Sequence, residues 1–114
     1  MATNAGTLIV FEGTDRDLDF THSGNDASTA TAILFTVTDD PGVTTLNGKT
    51  AISKTLGAGI TAPDSTSIIV ALADTDLDGF GGVLGYFDLR VTDASGNEDV
   101  VAFGVLDIRP SNTD

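Results

Sequence analysis

The sequence predicts an all-β protein, an immunoglobulin-like β-sandwich of about seven antiparallel strands in two sheets. Three observations carry that expectation. Apolar and polar residues alternate in short stretches, which buries one face of a sheet and wets the other. Gly, Asp, Asn and Pro close these stretches, at the spacing of a sandwich. No part of the 114 residues sustains a helical period.

Residues 7–12 (TLIVFE) form the first expected strand and 16–21 (RDLDFT) the second, joined through Gly13-Thr14-Asp15. In the second, Asp17 and Asp19 alternate with Leu18 and Phe20, the pattern of a half-buried strand. A small polar loop follows at 22–28. Strand 31–38 (TAILFTVT) turns Ile33, Phe35 and Val37 inward and Leu34, Thr36 and Thr38 outward, and Asp39-Asp40-Pro41-Gly42 stops it. Residues 49–55 give a weaker strand with Ala51 or Ile52 toward the core. In 67–73, Ile68, Val70 and Leu72 share one face.

Residues 83–92 place Phe87, Leu89 and Val91 inward, so Tyr86, Asp88 and Arg90 point outward. Asp93-Ala94-Ser95-Gly96-Asn97 reads as a hairpin turn in which Gly96 takes positive φ. The returning strand, 98–108, groups Val100, Ala102, Leu106 and Ile108, with a bulge at Phe103-Gly104. The expected organisation is one domain over 1–114, its core at about 7–109 between polar tails.

Composition narrows the function classes. Five basic residues stand against 17 acids, for a net charge of −12. Such a chain repels phosphate backbones and anionic membrane surfaces, so neither nucleic acid nor membrane is an expected partner. A hydrophobic fraction of 40% suffices for a single core. With no cysteine there is no disulfide, thiolate nucleophile or thiolate metal site. The opening Met-Ala-Thr-Asn-Ala-Gly has neither a basic segment nor an apolar run. No signal peptide or membrane span is therefore expected, and synthesis in a cytoplasm is.

Reactive chemistry is sparse. Asp74-Thr75-Asp76-Leu77-Asp78-Gly79 matches the first half of a calcium loop, with donors Asp74, Asp76 and Asp78 followed by the turn glycine. The second half departs from it, because Gly85 stands where a bidentate glutamate belongs and Gly81 where an apolar anchor belongs. The alternative is an acidic turn whose Leu77 caps the core, and on that reading Asp76→Asn changes little. His22, the single histidine, has only Thr21 and Ser23 beside it. Neighbours on a strand face opposite ways and make no catalytic triad. Asp15, Asp17 and Asp19 lack the aromatic subsite of a glycosidase and read as a wet strand face. Gly79-Phe80-Gly81-Gly82 lacks the Lys-Ser/Thr of a phosphate loop. No catalytic residue, cofactor or complete metal site is expected.

The segments KTLGAGIT, IIVALADTD, YFDLRVTDASGN and FGVLDIRP, with FEGTDRDLDFT and AILFTVTDDPG before them, cover most of 7–110. Their pattern resembles the immunoglobulin-like domains at the start of upper-baseplate and related structural proteins of tailed bacteriophages. The resemblance implies a non-enzymatic virion component, a rigid module that docks onto capsid, tail or baseplate, and it brings no catalytic residues. This chain is nearly all domain, without the long extension of baseplate members, so capsid decoration stands beside a tail or baseplate place.

The leading expectation is thus an accessory virion protein, present in many copies and reaching the virion after synthesis in the host cytoplasm. Its expected partners are other virion proteins and further copies of itself. Docking would use apolar or backbone contacts, with Tyr86, Phe80 and Arg90 as the contact patch. The alternative is a carbohydrate- or receptor-binding module of a phage tail tip or cell-surface adhesin, with Tyr86 and Phe80 as its aromatic platform. An enzyme is the third reading, without an activated nucleophile to support it.

Overall fold

The computed structural model describes residues 3–21, 27–40 and 42–110. Ten strands follow the chain: β1 (Thr3–Phe11), β2 (Arg16–Thr21), β3 (Ala32–Thr38), β4 (Thr45–Leu46), β5 (Lys49–Thr50), β6 (Ile52–Leu56), β7 (Gly59–Asp64), β8 (Ser67–Leu72), β9 (Val83–Thr92) and β10 (Glu98–Arg109). Short 3-10 turns lie at Ala27–Thr29 and Asp74–Asp76. Most alternating stretches thus become strands where alternation placed them, but the strand expected at 49–55 splits at Ala51 into β5, paired with β4, and β6, which alone joins the main sheet. The first strand begins earlier than expected, so residues 3–6 extend β1 rather than form a tail. A register shift between Asn4 and Thr7 accommodates them, and the Gly6 amide donates to Asn4 Oδ1 at 2.9 Å.

The architecture corrects the expected sandwich. Eight strands form one mixed sheet in the order β1-β10-β9-β3-β6-β7-β8-β2, nearly closed into a barrel, with β4 and β5 paired beside it. Two features join what alternation alone leaves as two layers. At Gly57-Ala58 the chain steps sideways without reversing, so β6 and β7 pair in parallel, Thr55 opposite Gly59 and Leu56 opposite Ile60. Gly57 (φ 85°) and Gly59 (φ 104°) take the left-handed backbone that this step requires. At the other end, the short turn after Phe11 links β1 to β2, the two outermost strands, and draws the sheet's edges toward each other. β1 is also parallel to its neighbour β10. Alternation specifies one buried face and is the same for a barrel and a sandwich.

The interior holds the side chains that alternation assigned to it. Ile33, Phe35 and Val37 of β3 face Phe87, Leu89 and Val91 of β9, with Ile68, Val70 and Leu72 of β8 closing the opposite wall. Phe20, Phe35 and Phe87 form an aromatic triangle with ring centroids 5.5–6.2 Å apart. Leu77 is fully buried, as the acidic-turn reading had it.

In β10 the bulge lies upstream of its expected place. Val100 opposes Arg90 and Ala102 opposes Leu89, so Val101 is the inserted residue. Val101 and Ala102 are both buried, and Val100 turns outward instead of sharing the core face. Gly104 serves a close approach instead: a Cβ there would strike the Gly6 carbonyl oxygen and the Phe87 ring. Strands β4 and β7 had no counterpart in the sequence reading, although Leu46 and Ile60 belong to the core. β4 is too short to show alternation, and Pro63 breaks the pattern of β7 where its register with β8 shifts.

Candidate functional site

The outward side of β1, β10, β9 and β3 is built row by row from the strand register. Ile9 lies opposite Asp107, which lies opposite Leu84. The next rows are Thr7–Val105–Tyr86–Thr38, Phe103–Asp88–Thr36 and Val100–Arg90–Leu34. These positions alternate with the core residues, so their side chains project from one face.

Exposed apolar bulk gathers there. Among the described residues seven large apolar side chains are exposed, and Ile9, Phe11, Leu84 (55%), Tyr86 and Phe103 stand on this face. The other two, Val43 and Leu56, line the clefts at its rim. The wall formed by β2 and β8 presents a different character. Its outward rows are Asp17 opposite Ala71, Asp19 opposite Ile69 and Thr21 opposite Ser67.

Charges on the apolar face are paired within it. Arg90 Nη2 lies 3.3 Å from Asp88 Oδ2, and Nη1 lies 3.4 Å from Glu98 Oε1. Thr36 Oγ1 donates to the other Asp88 oxygen at 3.1 Å. Asp88 first, then Glu98, raises the Arg90 pKa above its ordinary value, so this cation is permanent. At the far end Arg109 Nε donates to Asp107 Oδ2 at 3.2 Å. Two hollows flank Arg90. One, of about 440 Å3, lies among Val43, Tyr86, Asp88 and Phe103. The other, of about 340 Å3, lies among Leu34, Leu56, Thr92 and Glu98.

The expected contact patch is partly assembled. Tyr86 and Arg90 share this face and line the larger hollow. Phe80 does not join them. It is only 7% exposed and packs into the core, with Lys49 Nζ 5.5 Å from its ring centre. The phase of Tyr86 was readable from the strand, whereas Phe80 lies in a loop where no period operates. Sequence reading missed Ile9, Leu84 and Phe103 as surface partners of Tyr86. The phase of β9 carried the signal for Leu84, two residues from Tyr86; cross-strand register supplied the rest.

The calcium-loop candidate does not converge. Asp76 Oδ2 accepts from the Ala73 amide and from Lys54 Nζ, each at 2.7 Å. The Asp74 amide donates to Asp15 Oδ1 at 2.8 Å, and the Gly79 amide donates to Glu12 Oε2 at 2.8 Å. These carboxylates fasten the loop to its neighbours. Among the described residues no three His, Asp or Glu side chains gather as a metal site. Asp17 and Asp19 are exposed on β2, opposite Ala71 and Ile69, as a wet strand face requires. His22 lies outside the described residues.

Fold and face together define an acidic all-β scaffold with one apolar side whose three acids are ion-paired to two arginines. In comparison with known proteins, no family model matches the chain and no curated protein matches it.

Proposed function

We propose that this chain is a non-catalytic attachment module that works by association, through the outer face of β1, β10, β9 and β3. The observation that carries the reading is the segregation of the surface: exposed apolar side chains collect on one internally ion-paired face of a −12 chain. Contiguous apolar surface on a soluble scaffold marks an interaction site, whereas scattered exposed residues do not. Dispersed acids keep crowded copies soluble and apart elsewhere.

The assembly served is the virion of a tailed phage, with the chain as an accessory component in many copies on capsid, tail or baseplate. The pattern of 7–110 supports this assignment, and the apolar face supplies the contact surface it needs. The test is to follow the chain through virion purification and locate it by reconstruction. Stoichiometric chain on wild-type particles, lost with Leu84→Asp, is the expected result. Chain found only in the unassembled fraction would overturn the virion reading.

The larger hollow favours a second reading as a carbohydrate-binding module. Tyr86 and Phe103 supply aromatic surface beside the polar Asp88, Arg90 and Thr36. Saturable glycan binding, lost with Tyr86→Ala and without retention on particles, would select it.

A further inference from the structure

We infer that the partner covering the apolar face is a second copy of this chain, seated face to face about a two-fold axis. The inference rests on the reading of this face as the association surface and names its occupant.

Charge decides between occupants. The face holds three of the chain's 17 acids but two of its five cations, and Asp88, Arg90, Glu98, Asp107 and Arg109 are all paired there. Among the described residues these ion pairs leave the face only one net negative charge of the chain's −12, so little on it calls for a partner of opposite sign. A cationic partner would be drawn to the acidic wall carrying Asp17 and Asp19. A like-charged partner is repelled by that wall and approaches most closely where the net charge is lowest. A second copy is such a partner, and it brings the same apolar side.

Shape and size agree. Four rows about 6.8 Å apart across four strands about 4.8 Å apart make a face on the order of 500 Å2 in projection. Side-chain relief brings this toward the roughly 800 Å2 that each partner contributes to a standard interface. Leu84 and Phe103 project from the face, and the hollows beside Arg90 recede into it. A two-fold interface sets each feature against the same surface of its partner.

The test is sedimentation equilibrium of the full chain across a dilution series, with amide NMR shifts followed on dilution. The expected result is a monomer–dimer equilibrium that tightens about tenfold from roughly 0.1 M to roughly 0.5 M salt, because screening relieves repulsion between two −12 molecules. Dilution shifts should centre on 84–90 and 103–107. Leu84→Asp and Phe103→Ser, each checked for native circular dichroism, should be monomeric. Asp19→Asn on the opposite wall should dimerise as well as wild type or better.

A chain monomeric at every concentration and both salts overturns the inference, as do dilution shifts centred on β2. An association that weakens with salt also overturns it, since ionic attraction would then dominate. Particle retention without dimerisation would sink this inference and spare the attachment reading. Dimerisation without retention would do the reverse for the virion assignment.

Discussion

Phe35 shows how one side chain couples the two walls of the fold. It is fully buried, with its ring 5.5 Å from Phe87 and 6.2 Å from Phe20. Phe35→Ala should therefore cost about 3–5 kcal/mol in urea denaturation, the loss of transfer energy plus an unfilled cavity. A near-neutral effect would mean that β3 is out of phase. Asp93 acts through hydrogen bonds alone. Its Oδ1 accepts from the Ser95 and Asn97 amides, both at 2.9 Å, and the Asn97 bond is the main cause of its lowered pKa. A carboxyl with a lowered folded-state pKa stabilises the fold above its unfolded value near 3.8, and that contribution disappears as pH falls through the lower native value. Asp93→Ala should thus lower the unfolding midpoint at neutral pH, with the difference from wild type shrinking below pH 3.8. A difference independent of pH would locate the effect in turn geometry instead.

At the scale of elements, the loop after β8 is fastened by ion pairs and hydrogen bonds to its neighbours. Lys54 of β6 reaches Asp76 at 2.7 Å with side chains only 18% and 22% exposed, and Lys49 Nζ donates to the Gly79 carbonyl at 3.1 Å. Asp76→Ala should cost about 1–3 kcal/mol, because it strands a shielded ammonium and an amide donor. The double variant with Lys54→Met should recover part of that loss in a thermodynamic cycle. This revises the expectation that Asp76→Asn changes little, because Asp76 also holds Lys54 of β6. Calcium should not raise the melting temperature. A large calcium-dependent shift would show that Asp74, Asp76 and Asp78 can rearrange around the ion.

Across the whole molecule, −12 on 114 residues opposes compaction, and screening should relieve it. Adding salt from about 0.02 M to about 0.5 M should raise the melting temperature by a few degrees in calorimetry. A fall would mean that the ion pairs at Asp76 and Arg90 outweigh the collective repulsion. Measurements at low protein concentration separate this monomer effect from any gain through dimerisation. The segregated surface gives the net charge its direction: in the proposed dimer the ion-paired apolar side meets the like-charged copy, and the acidic wall of Asp17 and Asp19 stays in solvent.

Alternation by itself determined the phase of β2, β3, β8 and β9, and with it the aromatic core and the outward stance of Tyr86 and Arg90. Those are local facts, set by the two-residue period of an extended chain. Only the tertiary structure decided that the strands make one curled sheet, that Phe80 is interior, and that Ile9, Leu84 and Phe103 join Tyr86. Each depends on which strands lie side by side. That order follows the parallel step at Gly57–Gly59 and the turn joining the sheet's edges, neither of which is written in the alternation, while the bulge at Val101 breaks the alternation of β10 and turns Val100 outward.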